Sequence, residues 1–317
     1  MGNKEQRLKN NELSVAKIPS LQDEKFNITK VAKYISTTSG LVNKEDKTCL
    51  VTMPSKNVMV TLDLMEKDDV SLSSKNVTMY DLAVMDSVYT LYKSGCSEFT
   101  PEMIAKVMSG DLHAYIKPQK AGSVRKSLDK LASIRISLDI TDELLARGLK
   151  LKEGERGVLK DYLLPLREMQ LKAANGKVIQ SGFQLKEIPI LYDYAERTGH
   201  IATVPTTMLE VDSVTDTDDN IIIKRYLIRR IEELKQARNK KSLSEIIYYD
   251  TELQTGAMSE LWYDKNIVNL RDKKSELHKS VKKVLKSLVE KQYIQSYEEL
   301  KDGRSVVGVK INLNKEN

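Results

Sequence analysis

A nine-residue pattern occurs twice in this chain, first at position 123 and again 157 residues later at position 280. Residues 123–131 read SVRKSLDKL and residues 280–288 read SVKKVLKSL, so both follow Ser-Val-basic-Lys-x-Leu-x-x-Leu. In both places a long apolar helix is predicted upstream, and a strand of alternating apolar residues follows. Repetition within the same element order indicates two copies of one supersecondary unit.

The length of the chain agrees with a duplicated unit. A chain of 317 residues is too long for one ordinary core and fits two domains of roughly 100–200 residues each. We predict an α+β protein with two tandem winged-helix domains, each a helix-turn-helix with a β-hairpin wing. The predicted boundaries are 1–45 for a flexible or weakly structured segment, 46–190 for the first domain, 191–218 for a connector and 219–317 for the second domain.

Local patterns predict the elements of the first domain. They are a strand over 58–64, a helix over 79–93 capped by Thr78, a helix opened by Thr100 and Pro101 and ending near Gly110, a helix over 120–133, a strand over 134–140, and a hairpin of 164–173 and 178–188. The helix over 79–93 is apolar on most of its circumference. It fits either a buried core helix or a surface for self-association, so a homodimer through the first domain is one expectation.

The second domain is predicted to contain three helices and a hairpin. The helices cover residues 220–238, 242–253 and 272–292, and the middle one begins at Ser242 with Glu245 three residues on, a capping-box pattern. Strands over 293–300 and 305–313 flank a turn at residues 301–304. Three helices followed by a two-stranded hairpin is the order of a winged helix.

Lysines on the helix over 272–292 are the main evidence for a DNA partner. At about 100° per residue, the apolar positions gather on one side of this helix and the lysines on the other. A helix seated on a core by one face and basic on the other suits the major groove and its flanking phosphates. The alternative is an ordinary solvated lysine face. The residues predicted to contact DNA in this domain are Arg271, Lys273, Lys274, Lys279, Lys282, Lys283, Lys286, Lys301 and Arg304.

The matching helix of the first domain is less basic. Its net charge is +3 over residues 119–133, against +5 over residues 271–292. We therefore expect weaker DNA contact there. The predicted contacts are Lys120, Arg125, Lys126 and Lys130. The helix predicted over 220–238 and the residues just after it are also basic. Some of these side chains are predicted to line the phosphate backbone, and a plain amphipathic exterior is the alternative. The basic residues are Lys224, Arg225, Arg229, Arg230, Lys235, Arg238, Lys240 and Lys241.

Catalytic and cofactor motifs are not found in the sequence. The three histidines are isolated, the cysteines Cys49 and Cys96 lack metal-type spacing, and no phosphate-binding loop or nucleophile elbow occurs. We therefore expect a protein that is not an enzyme and has no cofactor and no metal. No apolar run approaches the roughly 20 residues of a membrane span, so a cytoplasmic protein without a membrane partner is expected.

Two segments resemble the junction between the domains of plasmid replication initiators (Rep proteins). They are residues 188–195, IPILYDYA, and 222–231, IIKRYLIRRI, and the resemblance extends over residues 55–313. It implies binding to short direct repeats in an origin, opening of an adjacent AT-rich stretch, and recruitment of a host replicative helicase or initiator. In that family dimers repress and monomers activate. The loop over 142–162 has no counterpart in it.

Double-stranded DNA is the partner that these observations favour. The first hypothesis is replication initiation at a plasmid or mobile-element origin. A transcriptional repressor of the same fold and a protein-interaction module are the alternatives. Direct repeats beside an AT-rich tract favour an initiator, whereas a single palindrome favours a repressor.

Overall fold

The structure is a computed structural model that describes residues 25–29, 48–53, 58–64, 77–176, 178–211, 214–235, 243–249 and 270–314. Within these ranges the protein is a mixed α+β structure of seven α-helices and twelve β-strands. None of the helices in the described ranges is long and apolar enough to cross a membrane.

The elements up to residue 185 include all seven that were predicted, in the predicted order, and five that were not. They are β1 (Lys25–Thr29), β2 (Thr48–Met53), β3 (Val58–Leu64), α1 (Met79–Lys93), β4 (Glu98–Phe99), α2 (Pro101–Ser109), α3 (Pro118–Ser133), β5 (Ile134–Asp139), α4 (Thr141–Ala146), β6 (Val158–Tyr162), β7 (Leu166–Lys172) and β8 (Val178–Leu185). The side chains of Thr78 and Thr100 accept hydrogen bonds from backbone N–H groups at the starts of α1 and α2. Gly110 ends α2 in the left-handed conformation, so the predicted limits of both helices are confirmed.

The remaining elements form a second series. They are α5 (Ile190–Arg197), β9 (Ile201–Pro205), a 3-10 turn (Thr206–Met208), α6 (Asp218–Lys235), β10 (Ser244–Tyr248), α7 (Leu270–Glu290), β11 (Ser296–Asp302) and β12 (Ser305–Asn312). The predicted connector, residues 191–218, thus contains most of α5 and all of β9. The predicted hairpin of the second half is confirmed as β11 and β12, which pair antiparallel.

Two groups of elements have the same topology. The first unit consists of α1, β4, α2, α3, β7 and β8, and its antiparallel sheet has the order β4-β8-β7. The second unit consists of α6, β10, α7, β11 and β12, and its antiparallel sheet has the order β10-β12-β11. Residues 250–269, between β10 and α7, lie outside the described residues.

The repeated nine-residue pattern occupies equivalent places in α3 and α7. In each helix the two conserved leucines, the conserved valine and one further residue are buried against the core: Val124, Ser127, Leu128 and Leu131 in α3, and Val281, Val284, Leu285 and Leu288 in α7. The repeated apolar positions are therefore the face by which each helix packs on its own unit.

The prediction of a helix over residues 242–253 is wrong for residues 244–248. Residues 244–248 form strand β10, which pairs with β12, and residues 250–253 lie outside the described part of the chain. Ile247 is buried while Ile246 and Tyr248 are 44% and 50% exposed, which is the period of two of a half-buried strand. The carboxylate of Glu245, taken for a capping residue, instead pairs with Arg230 on α6.

Two further sheets surround the first unit. Residues 134–162 are inserted between α3 and β7, and strands β5 and β6 of this insertion extend β2 and β3 into a four-stranded sheet of order β2-β3-β5-β6. The loop predicted over 142–162 therefore contains most of α4 and all of β6. Strand β1 pairs with β9 and is buried, although it lies within the segment predicted to be weakly structured.

The hydrophobic core is continuous between the two units. Its members include Leu82 of α1, Leu128 of α3 and Leu285 of α7. Every residue of α1 from 81 to 91 is buried, so this helix is a core helix and offers no surface to a second copy. Of the two roles left open for α1, packing in the core is confirmed.

Candidate nucleic-acid interface

Helix α7 has one buried face and one lysine face. Leu277, Val281, Val284, Leu285 and Leu288 are buried in the core. The opposite face carries four exposed side chains, which are Lys279, Lys282, Lys283 and Lys286. The helix is 21 residues long, which corresponds to about 31 Å at 1.5 Å per residue. The predicted lysine face is therefore on the surface and not packed inside the molecule.

Two of these lysines have acidic neighbours that leave them accessible. Lys282 Nζ lies 3.2 Å from Glu299 on β11, and Lys286 Nζ lies 3.8 Å from Glu290 one turn further along α7. The lysine side chains remain 56% and 72% exposed. Ion pairs this exposed contribute on the order of 0–1 kcal/mol, so a phosphate can displace them.

The turn between β11 and β12 presents two more cations to solvent. Lys301 and Arg304 are exposed at the end of this hairpin, and Gly303 between them takes φ +58°. This left-handed conformation favours glycine, which allows a tight turn. The placement agrees with the predicted turn at residues 301–304.

The remaining predicted contacts of the second unit lie at the start of α7. The side chains of Arg271 and Lys273 are outside the described residues. Lys274 is partly exposed. The structure therefore tests neither Arg271 nor Lys273 as a DNA contact.

In the first unit, the structure places most of the predicted DNA contacts in internal interactions. Lys120 Nζ donates to the backbone carbonyl of Asp216 at 3.2 Å. Lys130 Nζ lies 2.5 Å from the Asp81 carboxylate, which also caps α1 through Thr78. Burial lowers the pKa of Lys120, against the opposing effect of Asp216.

The other two predicted contacts of α3, Arg125 and Lys126, differ in whether their side chains are available to a ligand. Arg125 donates to Ser181 Oγ at 2.6 Å and pairs with the Glu168 carboxylate, so its guanidinium joins α3 to both strands of the β7–β8 hairpin. Lys126 is exposed. Lys126 is thus the predicted contact of α3 whose side chain is most accessible to a ligand.

The contact between helix and hairpin is repeated in the second unit. Arg125 and Lys282 are the same position of the nine-residue pattern, and they pair with Glu168 on β7 and Glu299 on β11. The two glutamates also match in sheet register: Glu168 lies opposite Phe183, which lies opposite Phe99, and Glu299 lies opposite Val309, which lies opposite Ile247. We call this pair of contacts the helix–hairpin clasp.

A glycine precedes the buried residue of the last strand in both units. A Cβ on Gly182 would lie 3.4 Å from the carbonyl oxygen of Phe99, which is ordinary contact. A Cβ on Gly308 would overlap the carbonyl oxygen of Ile247 and lie 3.2 Å from Cα of Tyr248. The sequence signal for this match is short, SGFQL at 181–185 and VGVKI at 307–311, and the prediction missed both the glycines and the two clasp glutamates.

Three of the eight basic residues from which phosphate contacts were expected in this region are buried. Lys224, Arg225 and Arg229 are 1%, 2% and 4% exposed, so they are not among the residues that could line the phosphate backbone. Arg238, Lys240 and Lys241 lie outside the described residues. Lys235 and Arg230 are partly exposed and pair with Glu232 and Glu245.

A buried carboxylate explains why α6 can bury these cations. Arg229 donates to Asp86 of α1 at 2.6 Å and to the carbonyl of Thr29 in β1 at 2.6 Å. Arg225 donates to the carbonyl of Val107 at 2.9 Å and stacks on Phe26. Burial raises the pKa of Asp86, which both arginines oppose, and burial lowers the pKa of Arg225 to about 10. These groups join α6 to the first unit.

Clusters for metal chemistry are not found in the described ranges. No group of three or more histidine, cysteine, aspartate or glutamate side chains there is placed to hold an ion.

Comparison with known proteins gives a low similarity to two crystal structures. No protein-family model and no curated protein matches the chain. A structure of domains 2 and 3 of RctB has a TM-score of 0.44 at 10% identity, covering 84% of this chain and 91% of that one. A selenomethionine derivative of the same domains has a TM-score of 0.43 at 13% identity, covering 85% and 91%. These scores are too low to carry an argument, so the proposals below depend on this chain's own contacts.

Proposed function

We propose that this protein binds double-stranded DNA through the lysine face of α7. The supporting observation is the arrangement of that helix: its apolar ridge is buried in the core while Lys279, Lys282, Lys283 and Lys286 are exposed. An α-helix fits the major groove, which is about 12 Å wide. The exposed cations Lys301 and Arg304 on the following hairpin would contact the adjacent backbone.

The proposal assigns a winged-helix fold to both units. Each has a helix, a short strand and a later helix followed by a hairpin, and in each sheet the short strand pairs with the last strand. In this assignment α3 and α7 are the recognition helices, and β7–β8 and β11–β12 are the wings. Lys273 and Arg271 at the start of α7 remain predicted contacts, as does Lys126 on α3.

The function proposed for this binding is replication initiation at a plasmid or mobile-element origin. Its support is the resemblance of residues 188–195 and 222–231 to the domain junction of plasmid initiators. A homodimer and a host replicative helicase or initiator as partners follow from that resemblance alone. We also propose that the protein is cytoplasmic and that it is not an enzyme.

The DNA proposal is tested by removing cations from α7. Replacing Lys279 and Lys283 together by alanine should reduce the affinity for duplex DNA. The plot of log K against log salt should also become less steep by about 1.8, since each lost phosphate contact contributes roughly 0.9 to the slope. The matched control replaces Lys150 and Lys152, two exposed lysines of the inserted segment, by alanine. Equal affinity for both variants would remove α7 from the interface.

The initiator proposal needs a separate experiment. Duplexes bound by the full chain are selected from a random pool and sequenced, and the recovered site is then sought upstream of the gene. Short direct repeats beside an AT-rich tract support an initiator. A single palindrome supports a repressor instead.

A further inference from the structure

The segment between β9 and α6 contacts the ends of both proposed recognition helices. We call it the junction loop, and its described part consists of residues 206–211 and 214–217. It begins with the 3-10 turn, and its carbonyl groups accept hydrogen bonds from three lysines that come from three different helices or their ends.

The first lysine comes from the start of α3. Lys120 lies in the first turn of that helix, and its Nζ donates to the backbone carbonyl of Asp216 at 3.2 Å. The ammonium is partly buried at this contact. The N-terminal end of α3 is thereby attached to the junction loop.

The second lysine follows the end of α7. Lys291 is the residue directly after the helix, and its Nζ donates to the backbone carbonyls of Thr207 and Glu210. Because one ammonium carries three donors, it can hold two carbonyls of the loop at once. The C-terminal end of α7 is thereby attached to the same loop.

The third lysine anchors the loop to the molecule. Lys224 of α6 is buried, and its Nζ donates to the carbonyl of Leu209 at 2.9 Å and to the Asp216 carboxylate at 2.6 Å. Leu209 is itself buried in a small core with Phe26 and Ile228. Charged donors make hydrogen bonds roughly twice as strong as neutral ones, so the loop has little freedom to move.

The loop is also packed against the first unit through α2. A Cβ on Gly110, the residue that ends α2, would lie 2.8 Å from Cβ of Leu209 and 3.0 Å from the carbonyl oxygen of Thr206. This close approach, together with the lysine contacts, connects the loop to α2, α3, α6 and the end of α7. Rotation of one recognition helix relative to the other would break contacts on the loop.

We propose that the junction loop, together with the core that the two units share, fixes the distance and the rotation between α3 and α7, so that the protein recognises two DNA segments at a single spacing. The inference rests on the proposed DNA-binding function. Lys120 and Lys291 act as positioning residues, and they set which spacing is accepted without contacting DNA themselves. This assigns Lys120 a role different from the phosphate contact predicted from the sequence.

The geometric part of the proposal is tested without DNA. Spin labels are attached to the full chain at Lys126→Cys and Lys286→Cys, which are exposed positions on α3 and α7, with Cys49→Ser to remove a second label site. Cys96 is buried and stays in place. We expect a narrow label-to-label distance distribution that broadens when Lys120→Ala and Lys291→Ala are added. An unchanged width would overturn the proposal.

The specificity part is tested with DNA. Duplexes that bind the full chain are selected from a random pool, and the two DNA segments that the protein contacts are located by footprinting. Two base pairs are then inserted between these segments, which rotates one segment relative to the other by about 70° and moves it by about 7 Å. We expect this insertion to reduce the affinity of the unmodified chain by at least about 30-fold, and that of the double variant by about threefold or less, since a mispositioned helix loses its phosphate contacts. Equal tolerance of the insertion by the two proteins would contradict the proposal.

The controls separate this proposal from the one on which it depends. The Lys150→Ala and Lys152→Ala variant, with the same loss of charge, should keep the spacing preference of the unmodified chain. If the double variant at the loop does not fold, Lys291→Met keeps the aliphatic stem and removes only the donor. Recovery of no duplex at low salt would refute DNA binding, whereas the distance distribution would still decide whether the loop fixes the two helices.

Discussion

The two units share a scaffold but use the cations of α3 and α7 differently. In the first unit Lys120, Arg125 and Lys130 interact with Asp216, Glu168 and Asp81 of the protein itself. In the second unit the four lysines of α7 are exposed, and the ion pairs of Lys282 and Lys286 are weak surface pairs. The net charge of a helix therefore does not show how many of its cations are available to a ligand.

This difference separates two roles of basic residues. Cations that pair inside the protein position one element on another, whereas exposed cations supply affinity for a polyanion. The same distinction applies within α6, where Arg229 is buried and Lys235 is partly exposed. Variants that move a cation from one role to the other provide the most direct tests.

The largest effect is expected at Arg229. Replacing it by methionine leaves the buried Asp86 carboxylate without its partner, which should lower the free energy of unfolding by about 3–5 kcal/mol. Urea denaturation measures the loss. Arg304→Met is the control: it should leave stability unchanged and weaken DNA binding, because Arg304 is exposed on the hairpin turn. A stable Arg229→Met protein with weakened DNA binding would restore the role predicted from the sequence.

The matched glycines should respond differently to alanine. Gly308→Ala should cost about 2–3 kcal/mol of stability because the new methyl group overlaps the β10 backbone, as expected for overpacking. Gly182→Ala makes only ordinary contact with Phe99 and should change stability by less than about 1 kcal/mol. Thermal or urea unfolding of the two variants checks this, and equal losses would show that the two sheets do not differ in their spacing.

Equivalent exposed lysines of the two units should contribute unequally to DNA affinity. Lys126 and Lys283 occupy the same position of the nine-residue pattern. Lys283→Ala should weaken duplex binding by about tenfold at low salt and reduce the salt slope by about 0.9, while Lys126→Ala should have an effect of about threefold or less. Fluorescence anisotropy over a salt series measures both quantities. A larger effect at Lys126 would reverse the ranking of the two units.

The smallest effect is expected from the helix–hairpin clasp. Glu299→Gln removes the carboxylate beside Lys282 and should raise DNA affinity by about threefold, because the released ammonium and the lost negative charge both favour phosphate. Glu168→Gln should have less effect, since Arg125 stays bonded to Ser181. Glu153→Gln, at an exposed glutamate of the inserted segment, is the control for the general loss of a negative charge.

Local signals in the sequence were sufficient to predict most elements of the fold. Thr78 and Thr100 act over a few residues, and the structure has the expected caps at these positions and the predicted hairpin as β7 and β8. The short strand β10 was missed because Ser242 and Glu245 match a capping box, while the run Ile246, Ile247 and Tyr248 does not alternate apolar with polar residues.

The use of each cation could not be predicted in the same way. Arg229 is buried because it meets Asp86, which is 143 residues distant in the chain, and Arg125 is held by Glu168 43 residues later. Such pairs depend on tertiary structure and leave no periodic pattern in the sequence. The lysine face of α7, in contrast, could be predicted, because its exposure follows from the apolar ridge within the same helix.

The inserted segment between α3 and β7 has a consequence for how the chain folds. The clasp of the first unit joins residues 43 positions apart, whereas that of the second joins residues 17 positions apart. Loop-closure entropy makes the longer connection costlier by roughly 0.8 kcal/mol before any contact is gained, and contacts between nearby residues form faster. We therefore expect the C-terminal hairpin to dock on its helix first during refolding, with the N-terminal hairpin following once the four-stranded sheet has brought its ends together.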